Sequence, residues 1–224
     1  KSAHAQTESG KISAAGLHFA PDQNDTTEAV AFPFADDFEA GIGSHWKTGS
    51  SGAGRVEINT EIPHSGSQAL FLGKNAKQDS HAAAHLTINL ANQTDVFLTF
   101  WWRANKTANT DPNALYMSDN DGATWIKVYD LSGNSQSYMR GMVNVSDIAN
   151  DQGMTLNDHM LFSFHYQSRY WDEVGGLVID DVQFVTRSDA VTSFPAQDAV
   201  DSTTFGKGLY PHASGAGVTQ IVNE

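Results

Sequence analysis

Between Phe32 and Val185 the apolar residues return every second position, not every third or fourth. Leu86, Ile88 and Leu90 alternate with Thr87 and Asn89. Met160, Phe162, Phe164 and Tyr166 fall on one side of a strand spacing. Val96-Phe97-Leu98-Thr99-Phe100-Trp101-Trp102 is aromatic and β-branched throughout, as a central buried strand should be. Shorter runs at Val56–Asn59, Ala69–Leu72 and Trp125–Tyr129 read the same way, and Leu177–Phe184 is the last strong strand. Clusters of Gly, Asn, Asp and Ser punctuate the runs, as at 48–54 and 118–122. Only residues 142–150 suit a short helix. Many short strands with turn punctuation predict an all-β fold, a two-sheet antiparallel jelly-roll sandwich. No repeat of about 20–50 residues is visible, so a propeller or solenoid is not expected.

The pattern also divides the chain. Residues 32–186 hold the sandwich. Residues 1–31 and 187–224 are polar and rich in small residues, and are expected to be extended tails. The N-terminal tail carries one apolar patch, Ile12, Leu17 and Phe19. Ordering a residue costs about 1–2 kcal/mol of backbone entropy. Burying those three side chains returns about 1.5–3 kcal/mol each. This segment is therefore expected to lie along a sheet edge or groove, of its own domain or of a neighbouring copy. The second case gives a head-to-tail contact that builds filaments.

Composition narrows the partners. The formal charge is −13, and the 13 basic residues never cluster, which excludes a nucleic-acid groove. An acidic surface suits hard cations such as calcium. There is no cysteine, which excludes disulfides, thiolate zinc sites and a cysteine nucleophile. No apolar run approaches the roughly 20 residues that span a membrane. Ala3-His4-Ala5 looks like the tail of a signal-peptidase site, but three residues do not establish one.

Three motifs point further. Phe34-Ala35-Asp36-Asp37-Phe38-Glu39 precedes Trp46; as one strand it would put Phe34, Asp36 and Phe38 on one face and Asp37 and Glu39 on the other. His64-Ser65-Gly66-Ser67 is a tight turn into Ala69-Leu70. Ile179-Asp180-Asp181-Val182 closes the body. In this order they resemble the MAM-type jelly roll and the cleaved-adhesin domains of bacterial surface proteases, with relatives among bacterial anchoring and carbohydrate-binding modules. Vertebrate MAM domains carry cysteines that this chain lacks, which places it nearer the bacterial forms. The resemblance implies a structural calcium tying the first strand to the last. It implies ligands at Glu39 and also Asp37, at Asp181 or Asp180, and at backbone oxygens from His64 to Ser67.

Ser118-Asp119-Asn120-Asp121-Gly122-Ala123-Thr124-Trp125 resembles the Asp-box of sialidases, sortilins and reelin repeats, with Asn120 in the usual Asp position. It is a hairpin device. Gly122 allows positive φ, Ser118, Asn120 and Thr124 bond the turn, and Trp125 packs beneath. One copy in a jelly roll is closer to a reelin repeat than to a propeller enzyme.

No Gly-x-Ser-x-Gly elbow or His-Glu-x-x-His occurs, and the histidines are scattered. An enzyme is not expected. Tyr170 and Trp171 beside Arg169 form the expected ligand platform, because aromatic faces stack on sugars. The sequence thus describes a calcium-stabilised adhesion or binding module of a secreted or cell-surface bacterial protein. Its partner is an extracellular protein or glycan. The alternatives are a filament subunit exchanging tail strands and a carbohydrate-binding module of a glycan-degrading enzyme.

Overall fold

A computed structural model describes residues 11–13, 28–105, 113–133, 135–169 and 173–192. The fold is a sandwich of two sheets. One sheet takes β1 (Lys11–Ser13), β10 (Thr124–Asp130), β9 (Ala114–Ser118), β12 (Met160–Ser168), β7 (Ser80–Asn89) and β2 (Val30–Ala31) in that order, with β4 (Trp46–Ser51) also on β7. The other runs β11 (Ser135–Asn144), β8 (Val96–Asn105), β13 (Gly176–Thr186), β6 (Ala69–Lys74) and β5 (Gly54–Asn59), with β3 (Phe34–Asp36) also on β13. The strands pair antiparallel except β2, which runs parallel to β7.

The alternation places the core. Leu98, Phe100, Trp102 and Ala104 of β8 share one core with Ala82, Ala84, Leu86 and Ile88 of β7 and with Met160, Phe162, Phe164 and Tyr166 of β12. The alanines of β7 make room for the rings. Phe100 meets Phe164 edge-on at 5.1 Å, a favoured geometry for two aromatic quadrupoles. The outward side of the seven-stranded sheet is buried as well: Ala114, Tyr116, Trp125, Leu161 and Ser163 are at most 7% exposed.

One irregularity positions the site. The closing strand β13 borders β8 along its whole length, but its other side is shared. Residues Gly176–Ile179 pair with β6, and Val182–Phe184 pair with β3. At the changeover the register on β8 jumps from Asp180↔Trp101 to Gln183↔Thr99, one residue extra on β13. This is a β-bulge. Asp181 takes φ 49 there. The inward set therefore runs Leu177, Ile179, Val182, Phe184, and Asp180 with its neighbour opens into the gap between β3 and β6.

Three expectations need correction. Residues 142–144 finish β11; the helix α1 (Val145–Asp151) starts later, where Asn144 caps it by accepting the Asp147 amide at 3.1 Å. The segment after Thr186 opens with a helical turn, α2 (Arg187–Thr192), not an extended tail; Ala190 packs on Phe97. Strand β3 ends at Asp36, whose Oδ1 accepts the Phe38 amide at 2.8 Å. The chain then turns through Phe38 at φ 57, so Asp37 and Glu39 do not share a strand face.

Segment 11–13 pairs with β10 of the same chain, Ile12 opposite Trp125. Leu17 and Phe19 lie outside the described residues.

Candidate functional site

The loop between β5 and β6, residues 60–68, crosses the gap left by the bulge and is held from four directions. Glu39, just past β3, accepts the Ser67 amide at 2.8 Å and the Gln68 amide at 2.7 Å on Oε1, and the Ser67 hydroxyl at 2.7 Å on Oε2. Asp180 is fully buried. Its Oδ2 accepts the amides of His64 at 2.8 Å and Ser65 at 3.2 Å, and its Oδ1 accepts that of Asp181 at 2.8 Å. Asp181 takes the Ser65 hydroxyl at 2.8 Å and bonds the His64 Nδ1 at 2.6 Å. From β11, the Tyr138 hydroxyl donates to the Ile62 carbonyl at 2.7 Å.

The loop also sits on a ring. The His64 imidazole stacks on the Trp101 indole of β8, centroids 4.0 Å apart and planes 13° apart, with Tyr138 edge-on at 5.1 Å.

The electrostatics follow from these contacts. The Ser67 amide and hydroxyl and the Gln68 amide hold Glu39 below the ordinary glutamate range. Burial pushes Asp180 above the usual carboxylate range, against the pull of the Ser65 and His64 amides. Burial, reinforced by the charge of Asp180, pushes the Tyr138 hydroxyl up.

Of the six residues expected to hold calcium, the structure brings five onto this loop. Asp37 is the exception; its carboxylate makes a local bond, accepting the Glu39 amide at 3.2 Å. By donor type the remaining carboxylates and serine hydroxyls suit a hard cation. By placement they split. His64, Asp180 and Asp181 each bring one ligand atom within 4.8 Å of the others, and Glu39 is not a member of that group. Amides, which are donors, fill Asp180 and much of Glu39. The fit to calcium's six to eight oxygens is therefore partial.

The expected ligand platform falls mostly elsewhere. Tyr170 and Trp171 lie outside the described residues. Arg169 is exposed, and its carbonyl accepts the buried Lys74 Nζ at 2.6 Å.

The Asp-box-like turn joins β9 to β10. Ser118 Oγ accepts the Gly122 amide at 3.0 Å, and Asn120 Oδ1 accepts the Thr124 amide at 2.9 Å. Gly122 has φ 79, and Trp125 is fully buried.

A second region was not singled out in the sequence: the outward face of the six-stranded sheet. Here the cross-strand registers set Arg103, Val178, Phe71 and Glu57 in one row over β8, β13, β6 and β5. The next row is Asn105, Gly176, Gly73 and Arg55. Arg140 sits opposite Trp101. Three of the chain's five arginines, 55, 103 and 140, thus share a sheet face with Phe71 and Trp101. Arg103 lies over the Tyr138 ring at 5.8 Å, and Arg55 bonds Glu57 at 3.3 Å. The signal was the outward half of each alternation, but which outward residues meet depends on strand order.

No family model matches the chain, and no curated protein matches it. Solved structures resemble it at low identity. The K2 cleaved adhesin domain of Lys-gingipain is 12% identical, over 69% of this chain and 99% of that one, at a TM-score of 0.49. A xylan-binding domain from Paenibacillus barcinonensis is 13% identical, over 68% and 92%, at 0.48. A carbohydrate-binding module seen with β-1,4-galactotriose is 15% identical, over 67% and 94%, at 0.48. All three scores fall below 0.5, and no property of these proteins is carried over to this chain by them.

Proposed function

We propose that this protein is a non-catalytic binding module of a secreted or cell-surface bacterial protein, and that it takes an extracellular glycan on the outward face of its six-stranded sheet. The observation that supports this reading is the gathering of Arg55, Arg103, Arg140, Tyr138, Trp101 and Phe71 on that face, all partly exposed. Aromatic faces with fixed polar groups beside them are how proteins hold polar ligands that also carry an apolar surface. The test is a glycan array probed with the intact chain and with an Arg103→Glu, Arg140→Glu double variant. Binding by the wild type and its loss in the variant, with the melting temperature held, is the expected result. Equal binding by both would remove the face from the function.

Calcium belongs to the same proposal as a structural ion. The support is that Glu39, beyond the first strand, and Asp180 and Asp181, on the last, converge on one loop with two serine hydroxyls. A bound ion would add to folding stability by mass action, about 2.7 kcal/mol at a hundredfold excess over Kd. Titrating calcium into metal-free protein should raise the melting temperature, and Glu39→Ala should blunt the rise. An unchanged melting temperature would leave the hydrogen bonds as the sole tie.

The filament reading keeps one observation. Among the described residues, strand β1 meets the sheet through Lys11–Ser13, the kind of contact that a neighbouring copy can supply equally well.

A further inference from the structure

The outward face of the six-stranded sheet contains one ring whose far edge lies over two glycines. Phe71 points away from the core, between the inward Leu70 and Leu72. The next row on that side holds two glycines side by side, Gly73 of β6 and Gly176 of β13. The far edge of the ring fills the space they leave. A Cβ on Gly73 would fall 2.2 Å from the Phe71 Cζ, and one on Gly176 would fall 2.8 Å from its Cε2. At Gly176 the nearer obstacles are backbone, the Leu72 carbonyl at 2.3 Å and the Gly73 Cα at 2.6 Å; at Gly73 the ring comes first and the Gly175 carbonyl follows at 2.5 Å, so close strand backbone and the ring edge together exclude a side chain. The ring is partly exposed, and its far edge rests on the sheet.

Polar groups flank it on both sides. Glu57 and Arg55 stand on β5, and Asn105 and Arg103 stand on β8. The Nε atoms of Arg55 and Arg103 are buried and have no hydrogen-bond partner. Those Nε atoms are closed off from solvent, so the part of each arginine that a ligand can reach is the partly exposed remainder of its guanidinium.

Resting on the proposed function, we propose that Phe71 is the platform for a single pyranose unit of an uncharged glycan. The C–H face of the sugar ring covers the Phe71 ring, and Arg103, Asn105, Arg55 and Glu57 take its hydroxyls from the sides. Two considerations choose an uncharged sugar over a polyanion. Arg55 is already paired with Glu57, which leaves one unbalanced charge beside the ring. The whole chain carries −13, which repels a polyanionic strand before it docks.

Affinity electrophoresis tests this with the full chain, in gels holding xylan, β-1,4-galactan, a mixed β-glucan or polygalacturonate. Wild-type protein should be retarded by at least one of the three uncharged polysaccharides. Phe71→Leu keeps the apolar bulk and loses the ring face, so its affinity in that gel should fall about tenfold or more. Phe71→Tyr keeps the ring and should bind like the wild type. Melting temperatures of both variants report whether the sheet is intact. Undiminished retardation of Phe71→Leu overturns the subsite and leaves the binding module standing. Retardation by polygalacturonate alone overturns the uncharged class. No retardation of the wild type in any gel overturns both this inference and the glycan reading beneath it.

Discussion

Ser67 gives Glu39 both of its donors, the amide at 2.8 Å to one carboxylate oxygen and the hydroxyl at 2.7 Å to the other. The bond spans 28 residues and fastens the loop before β6 to the segment after β3. An ionised carboxylate in this position accepts charge-assisted bonds, which are the stronger kind.

The pH dependence of that tie has a definite sign. Glu39 has a folded pKa below its unfolded one, so the stability it adds is present above the ordinary glutamate value, about 4.3, and is lost as pH falls through the folded value. The gap in melting temperature between wild type and Glu39→Gln should therefore be open at pH 6 and close towards pH 3. A gap that stays constant over that range would mean that the charge is not what holds the loop.

Asp180 tests the same loop from the other side. Both of its oxygens accept backbone amides, and it is fully buried. Asp180→Asn preserves shape and removes a buried charge, yet it sets an NH2 group against an N–H donor. We expect a net loss of about 1–3 kcal/mol, the cost of an unsatisfied buried group. Urea denaturation measures it, and an unchanged midpoint would show that the loop reorients at no cost.

At the turn between β9 and β10, Gly122 has φ 79, and a Cβ there would meet the buried Trp125 Cζ2 at 3.2 Å. Gly122→Val should cost about 1–2 kcal/mol from the left-handed backbone alone, and more from the contact. Gly122→Ala should cost less. Equal loss for the two would place the cost in the backbone and the Cβ contact that they share rather than in the branched methyls of valine.

Removing residues 1–13 uncovers the edge of β10 at Thr124–Ile126. The truncated chain should lose about 1 kcal/mol of stability, the scale of a few net hydrogen bonds. A synthetic peptide of residues 1–20 should restore it. Restoration by the peptide would establish that the strand can be donated between molecules. A truncated chain as stable as the whole, indifferent to the peptide, would end the filament reading.

The sequence by itself determined the all-β class and most of the core. Alternation such as Met160, Phe162, Phe164, Tyr166 named the core-facing set of its strand without tertiary knowledge, although Leu161, Ser163 and His165 between them are buried too, which the period does not show. The resemblance of its motifs to the MAM-type jelly roll also pointed to Asp37, Glu39, His64, Ser67, Asp180 and Asp181, of which all but Asp37 meet at the loop. Tertiary structure decided the rest. Strict alternation through Leu177 and Ile179 would have sent Asp181 and Gln183 inward. The bulge at Asp180 spares the core two polar groups by moving Val182 and Phe184 in, and β8 and the shared edge of β3 and β6 locate it. In the same way Phe71, Arg103 and Glu57 are 14 to 46 residues apart in the chain and become neighbours only through the order β8-β13-β6-β5. Outward residues bury little and obey no period, so no local pattern could announce which of them meet.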